Sequence, residues 1–192
     1  MTAQAQSPGF TLIELMVALA IVALLLFLGM PSFTTFIRNS EIRSTAESLI
    51  NGLRAANTQA ANLNRPVTFT IRGGVGASWT GWDLTYVDEN AITQTVQQYA
   101  RKEAGSGSSV TPTPADKLTV IFNSLGRVDK QGTPNDHIQT LDICIDSCVV
   151  GYEYRPLKII VDDPRPGAKS GLRMCDPDPA LAALVPRDPR AC

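Results

Sequence analysis

The chain has 192 residues, 44% of them hydrophobic, and a formal net charge of −1 from 17 Lys and Arg against 18 Asp and Glu. This composition excludes general disorder, because the chain has enough apolar residues for one packed domain with an additional element. The near-zero charge also excludes broad electrostatic capture of nucleic acid or acidic substrates, although it leaves a local patch open.

The first predicted element is an apolar helix over residues 10–30, FTLIELMVALAIVALLLFLGM. About 21 helical residues rise roughly 31 Å, which matches the hydrocarbon core of a bilayer. A buried core helix would show a stripe, whereas apolar residues here cover all faces. A cleaved signal peptide would follow a basic segment, whereas no Lys or Arg precedes this one and the helical pattern continues through Pro31. The sequence therefore predicts a membrane span that stays in the mature protein.

Glu14 is the only ionisable residue in this apolar segment. A carboxylate in hydrocarbon costs on the order of 3 kcal/mol, so it needs compensation. If the chain were cut before Phe10, the new amino group would lie about one helical turn from Glu14, on the same or a neighbouring copy. The alternative is that the side chain reaches the near interface. The residue alone does not decide between the two.

The string Gly9-Phe10-Thr11-Leu12-Ile13-Glu14-Leu15, followed by the apolar helix, resembles the processing signature of type IV pilins and type II secretion pseudopilins. The resemblance implies that residues 1–9 are a prepilin leader and that a prepilin peptidase cuts between Gly9 and Phe10. It further implies N-methylation of Phe10 and pairing of Glu14 with the N-terminal amine of an adjacent subunit. Pro31 stands where such pilins commonly carry a helix-distorting proline. Its missing donor and its clash with the preceding turn predict a bend there.

Residues 31–65 are predicted to continue the helix with an amphipathic pattern. The apolar positions recur mostly at steps of three and four residues: Phe33, Phe36, Ile37, Ala46, Leu49, Ile50, Leu53, Ala56, Ala60 and Leu63. Such a stripe is expected to pack against a globular head. The helix is expected to stop at Arg65, because a residue before proline is disfavoured in helical geometry. A separate helix hinged at Pro31 is the alternative.

Residues 66–192 are predicted to form an α+β head in which antiparallel, sandwich-like sheets pack on the helix. The predicted strands are residues 67–71, 82–87, 118–122, 141–145, 149–154 and 157–161. Glycine, serine and proline predict flexible loops over residues 105–114 and 164–171.

Two short segments of the head resemble the Gly-Arg turns of the minor pilin and pseudopilin group called GspH/FimT. They are Asn123-Ser124-Leu125-Gly126-Arg127-Val128 and Gly171-Leu172-Arg173-Met174-Cys175. With the N-terminal signature, the resemblance covers most of the chain. It implies a minor subunit at or near a filament tip that helps to prime assembly, rather than an abundant major pilin.

Four cysteines, Cys144, Cys148, Cys175 and Cys192, all fall in the part predicted to lie outside the inner membrane, where disulfides persist. Three pairings are compatible with the sequence. We favour Cys144 with Cys148 across a tight bend and Cys175 with Cys192 closing the tail. A zinc site of four thiolates is the alternative, but one CxxxC and two distant cysteines support it poorly.

No catalytic constellation is recognised, and the chain is predicted not to be an enzyme. His137, the only histidine, lies in a polar loop with no nucleophile motif and is expected to be solvated. Gly73-Gly74-Val75-Gly76 lacks the Lys-Ser/Thr of a phosphate loop and is expected to connect two strands. No cofactor or metal is predicted.

DNA binding is the main alternative function. Some members of this pilin group bind DNA during transformation through an Arg-rich turn near the C-terminus, and Arg173, Lys169 and Arg165 occupy that region. Aligned on Arg173, the usual Gly-Arg-x-Arg pattern lacks one arginine. Residues 155–192 carry 7 Lys and Arg against 5 Asp, a net of +2. Such a charge predicts weak, salt-dependent binding at best.

The sequence and the resemblance together predict a structural, assembly-priming minor pilin or pseudopilin. It would be a single-pass protein of the bacterial inner membrane with its head in the periplasm. Its expected partners are a prepilin peptidase, other minor subunits and the major subunit. The resemblance fits a type IV pilus and a type II secretion pseudopilus equally.

Overall fold

The computed structural model describes residues 9–76, 78–101, 107–130, 136–145, 148–149, 154–162, 171–183 and 190–192, with the backbone alone at 28–32 and 182. Its first element is α1 (Leu12–Leu63), a single helix of 52 residues. The helix predicted over residues 10–65 is thus present with slightly tighter bounds. It continues through Pro31, and the bend predicted there stays a prediction.

The N-terminal part of α1 is strongly apolar and exposed, with Phe27, for example, 75% exposed. Within the residues that the structure describes, no helix combines the length and the apolar character needed to cross a membrane. The span predicted over residues 10–30 is therefore not shown.

The chain divides into two compact units, Met1–Ile37 and Arg38–Cys192. In the second unit, α1 buries one apolar stripe in the head core: Ile42, Ala46, Leu49, Ile50, Leu53, Ala56 and Ala60. The stripe was predicted to include Phe33 and Phe36, but both are exposed, at 65% and 69%. The predicted amphipathic pattern therefore becomes a buried stripe only from Ile42 onward.

The described part of the head contains eight strands and a short helix. They are β1 (Val67–Arg72), β2 (Gly81–Val87), β3 (Thr93–Ala100), β4 (Ser108–Thr113), β5 (Thr119–Phe122), β6 (Thr140–Ile145), β7 (Leu157–Ile160), β8 (Arg173–Cys175) and α2 (Pro179–Ala182). Two four-stranded sheets form, in the orders β3-β2-β1-β5 and β4-β6-β7-β8. Every pairing within them is antiparallel. The predicted α+β class with antiparallel sheets on the helix is confirmed.

Both sheets share one core with the buried stripe of α1, because the inward faces of their strands carry large apolar residues. In the first sheet, β1 alternates buried and half-buried positions from Val67 to Arg72. The ring of Trp82 on β2 stacks on Phe69 of β1 at 5.9 Å between centroids. These residues place the first sheet directly against the helix.

The head differs from the sequence prediction in two places, and two further predictions fall mostly on residues that are not described. The flexible loop predicted over residues 105–114 contains β4, which pairs with β6 along its whole length. The polar strand β3 was not predicted. The strand predicted over residues 149–154 lies mostly outside the described residues, as does the loop over 164–171.

A buried polar cluster explains why β4 forms where the sequence predicts a loop. Arg101 lies 3.3 Å from the carboxylate of Glu41 on α1, and its guanidinium stacks 5.1 Å over the ring of Trp79. The backbone of Ser108 donates to Glu41 at 3.2 Å, and its carbonyl accepts from Trp79 at 3.2 Å. Because the polar groups of this cluster satisfy one another, the chain enters β4 at a fixed position against the helix.

Candidate functional site

The predicted cleavage site between Gly9 and Phe10 is exposed and lies just before α1 begins. Gly9 and Phe10 precede the first helical turn, and Phe10 is 87% exposed. A Cβ built on Gly9 would meet no atom within 4 Å. The peptide bond between Gly9 and Phe10 therefore lies in accessible, non-helical chain.

Thr11 caps the helix that follows. The backbone N–H of Glu14 donates to Oγ1 of Thr11 at 3.3 Å, and that of Leu15 donates to the Thr11 carbonyl at 3.2 Å. Thr11 thus acts as the N-cap and Glu14 occupies the N3 position, where a carboxylate in the first turn also complements the helix dipole. The spacing Thr-x-x-Glu could have indicated this local role, which the sequence analysis missed.

The first of the two Gly-Arg turns connects β5 to the next segment. Oδ1 of Asn123 accepts hydrogen bonds from the backbones of Leu125 and Arg127, each at 3.0 Å. Gly126 has a φ of 71°, a conformation that favours glycine. Its carbonyl accepts a hydrogen bond from the side chain of Asn57 on α1. The turn is therefore fixed both by its own asparagine and by the helix.

The second turn begins at Gly171 and leads into β8. Together the two turns line a cavity of about 610 Å³. Its walls are Asn57, Phe122, Gly126, Arg127, Val128, Lys130, Val161, Asp162, Gly171 and Leu172. The two motifs, more than forty residues apart in the sequence, thus meet at one site on the head.

The four cysteines form two disulfides, Cys144 with Cys148 and Cys175 with Cys192. This is the pairing that the sequence analysis favoured, and the bonded sulfurs are not the thiolates that a zinc site requires. In the described part of the chain, no group of three or more His, Cys, Asp or Glu could hold a metal ion.

The second disulfide closes the tail onto β8. The backbone N–H of Asp176 donates to the Arg190 carbonyl at 2.7 Å, and that of Cys192 donates to the Asp176 carbonyl at 3.0 Å. The C-terminal residues are therefore held by one covalent bond and two hydrogen bonds.

Of the three residues predicted to contact DNA, the structure describes only Arg173. Arg173 is exposed at the start of β8, where it lies opposite Ile160 of β7. Lys169 and Arg165 lie outside the described residues. The basic cluster predicted from the sequence stays a prediction.

His137 was predicted to be solvated, and this was wrong. The residue is 6% exposed. Its Nε2 lies 3.3 Å from Oδ2 of Asp162, and Nζ of Lys130 lies 2.9 Å from the same oxygen. The three side chains join the segment before β6 to the segment after β7. Because its partner is 25 residues away, the sequence around the histidine gave no sign of burial.

Comparison with known proteins identifies the family. The family model described as "Type II transport protein GspH" matches residues 45–163, well over half of the chain. The chain belongs to the GspH family. A second model, "Prokaryotic N-terminal methylation motif", matches residues 6–30 of this GspH-family chain.

The chain is also similar to individual proteins. "Prepilin peptidase-dependent protein D" of Escherichia coli K12 is 28% identical over 106 residues, covering 55% of this chain and 71% of the relative. The type IV minor pilin FimU of Pseudomonas aeruginosa PAO1 has a TM-score of 0.50 at 15% identity, covering 71% of this chain and 96% of that one. The minor pseudopilin EpsH of Vibrio cholerae gives 0.45 at 16% identity, covering 71% and 98%.

The two family models show a GspH-family chain with an N-terminal methylation motif, and FimU has a similar fold. The resemblance that the sequence analysis inferred from short motifs is thereby confirmed.

Proposed function

We propose that this GspH-family chain is an assembly-priming minor subunit that is stored in the inner membrane and enters a filament through α1. A prepilin peptidase cuts it between Gly9 and Phe10, and Phe10 is then methylated. One observation carries the proposal: a methylation motif over residues 6–30 and a GspH head over residues 45–163 are joined by a single helix.

The exposed apolar surface at the start of α1 supports storage in a membrane. Large side chains from Leu12 to Phe27 are between 51% and 76% exposed. Soluble proteins rarely leave so large a contiguous apolar surface in water, since each Å² removed from water is worth about 25 cal/mol. A bilayer covers such a surface on all sides, and other apolar helices in a filament core cover it after assembly.

Glu14 is the residue that we expect to govern entry into the filament. Its backbone N–H is satisfied by Thr11, which fixes the first turn and the position of the carboxylate relative to the chain start. In a low-dielectric filament core the carboxylate needs a positive partner. The N-terminal amine of Phe10 in an adjacent subunit supplies one, so the ion pair favours docking of one helix beside another.

The head supports a role in contacts with other subunits rather than in catalysis. Its cavity is built by two turns that Asn57 and Asn123 hold in place. We expect other minor subunits and the major subunit to contact this head in the periplasm.

The test is complementation of a deletion strain with wild type, Glu14→Gln or Glu47→Gln. Glu14→Gln removes the charge but keeps the side-chain size, and we expect it to lose most incorporation into filaments. Glu47 is a matched control on the same helix, because its carboxylate is half-exposed and lies 2.9 Å from Arg43. We expect Glu47→Gln to behave as wild type.

Two outcomes would contradict the proposal. A deletion strain with normal pili and normal type II secretion would remove the assembly role, and wild-type incorporation of Glu14→Gln would remove the ion pair. Loss of pili alone or of secretion alone would show which machine the subunit serves.

DNA capture is a second candidate function. Arg127 and Arg173 are both exposed, and they belong to the two turns that line one cavity. Two arginines there would contact phosphates of a DNA strand. We expect Arg127→Ala with Arg173→Ala to lower DNA uptake without changing piliation. Wild-type uptake in that double variant would exclude this function.

A further inference from the structure

The two disulfides of the head differ in how far their cysteines are exposed. In the first disulfide, Cys148 is exposed, whereas Cys144 is 3% exposed. In the second, Cys175 is 5% exposed and Cys192 is half-buried. A thiolate breaks a disulfide by direct attack on one of the two sulfurs, so access to that sulfur governs the rate. The first disulfide therefore offers an exposed point of attack, and the second does not.

The chain on both sides of the second disulfide is also held by backbone hydrogen bonds. The N–H of Asp176, next to Cys175, donates to the Arg190 carbonyl at 2.7 Å, and the N–H of Cys192 donates to the Asp176 carbonyl at 3.0 Å. These bonds keep Cys192 beside Cys175 without help from the sulfurs. The second disulfide thus has the surroundings of a structural bond.

Cys144 is held in place by the sheet and lies beside a hydroxyl group. It belongs to β6, an inner strand of the second sheet, and it lies opposite Ser109 of β4. Oγ of Ser109 lies 3.1 Å from Sγ of Cys144 and also donates to the Cys144 carbonyl at 3.3 Å. A hydroxyl bonds more strongly to a charged acceptor than to a neutral one. Ser109 can therefore turn its hydrogen toward this sulfur and stabilise a thiolate on Cys144.

We propose that the Cys144–Cys148 pair is a site of reversible thiol–disulfide exchange with an external dithiol, with Ser109 stabilising the leaving sulfur. A thiolate of the dithiol attacks Sγ of Cys148 and forms a mixed disulfide with it. The bond between Cys148 and Cys144 breaks, and its electron pair leaves on Cys144 as a thiolate.

The second thiol of the dithiol completes the exchange. As a thiolate it attacks the dithiol's first sulfur in the mixed disulfide, and Cys148 leaves as a thiolate. The dithiol becomes a disulfide, and the two protons that it has lost end on Cys144 and Cys148. Two electrons have then passed from the dithiol to this chain, so the exchange is balanced.

The position of the pair in the fold favours reversibility. The pairing of β4 with β6 includes Cys144 and does not depend on the disulfide. Cys144 and Cys148 are only 4 residues apart, so opening their bond relaxes the unfolded chain less than opening a long loop does. We therefore expect the head to stay folded and the pair to be reoxidised by the reverse exchange. The proposal does not depend on the function proposed above.

The rates at which the two disulfides are reduced test the assignment. The full-length protein in detergent is treated with dithiothreitol without denaturant, free thiols are alkylated at intervals, and mass spectrometry locates the label. We expect Cys144 and Cys148 to be labelled at least about tenfold faster than Cys175 and Cys192. Equal rates, resistance of both bonds, or faster opening of the second disulfide would overturn the proposal.

Glutathione, a monothiol, identifies the sulfur that is attacked. An alkylating agent present during the reaction traps the leaving thiolate before it can attack the mixed disulfide. We expect glutathione on Cys148 and the alkyl group on Cys144, because Cys148 is the exposed partner. The reverse pattern would overturn the proposed attack at Cys148.

Variants of Ser109 test the role of its hydroxyl. Ser109→Ala removes the group beside the leaving sulfur and should slow the opening of Cys144–Cys148 on the order of fivefold. Ser109→Thr keeps a hydroxyl and should restore the rate. The Cys175–Cys192 bond in the same sample is the internal control and should open at its wild-type rate. An unchanged rate in Ser109→Ala, or an equal change at both bonds, would overturn the proposal.

Discussion

Both halves of α1 are rich in apolar residues, but these residues are exposed in the first half and partly buried in the head core in the second half. In the first half, apolar side chains are exposed on all faces, as at Leu19, which is 61% exposed. In the second half, one stripe is fully buried in the head core, as at Leu53, which is 0% exposed. The second half therefore gains its stability within this chain. The apolar surface of the first half is exposed in the described structure, and we propose that a bilayer or other subunits cover it.

Truncation of one leucine in each half tests this comparison with the largest expected effect. Leu53→Ala removes buried methyl groups and leaves a cavity, so it should lower the free energy of unfolding of the head by about 2–5 kcal/mol. Leu19→Ala should change it by less than about 0.5 kcal/mol. Denaturant unfolding in detergent, followed by the fluorescence of the buried Trp79 and Trp82, measures both. Equal losses would remove the distinction between the halves.

Removing each disulfide separately measures how much that bond contributes to the stability of the head. Cys175 and Cys192 are 17 residues apart, and replacing both by serine should cost about 3 kcal/mol in the loop-entropy account. Cys144 and Cys148 are 4 residues apart, so the same change should cost less, about 2 kcal/mol. Thermal unfolding of the two double variants gives the comparison. A larger loss of stability on removal of the Cys144–Cys148 disulfide would contradict this ordering.

Gly52 shows how closely the second half of α1 packs. A Cβ there would lie 2.8 Å from Cε2 of Trp82 and 3.0 Å from Cε2 of Phe69. Alanine in a helix interior normally stabilises relative to glycine, but this overpacking should outweigh it and leave a net loss of about 1 kcal/mol. Gly107→Ala is the control, since its Cβ would meet mainly the flexible end of Arg38. A more stable Gly52→Ala variant would show that the ring can move away.

The smallest expected effect on stability comes from a change in the β2–β3 hairpin, because β3 is exposed. A hydrogen bond from the backbone N–H of Ile92, followed by one from the side chain of Gln94, holds the pKa of Asp88 below its usual value of 3.8. A carboxyl with a lowered folded-state pKa contributes stability above pH 3.8 and loses it as the pH falls through the folded value.

Asp88→Ala should therefore be less stable than wild type at neutral pH, and the difference should shrink as the pH falls below about 3.8. Thermal unfolding of both proteins between pH 2.5 and 7 measures it. A difference that stays constant across this range would mean that the Asp88 carboxylate has no ionic role in the hairpin.

Much of the fold could be predicted because its signals are local. The long helix follows from continuous apolar content and three- to four-residue spacing, and β1, β2, β5, β6 and β7 follow from alternating apolar residues. β3 and β4 could not be found in this way. β3 has a single apolar aliphatic residue facing the core, Val96, and the buried position of Ser108 in β4 depends on Arg101, Trp79 and Glu41.

Only some features of the candidate site could be predicted from the sequence. The processing string and the two Gly-Arg turns are short local motifs, so the sequence reveals them. Their meeting at one cavity depends on how the sheets fold on the helix. The burial of His137 depends on Asp162, and no periodicity in the sequence brings these two residues together.

The central claim is that the first half of α1 begins at a processed N-terminus and serves contacts outside its own chain. Mass spectrometry of the protein isolated from its native membranes tests this most directly. The account predicts a mature chain that starts at Phe10 and carries one methyl group on its α-amine. A chain that retains residues 1–9, and that a prepilin peptidase leaves uncut, would contradict it.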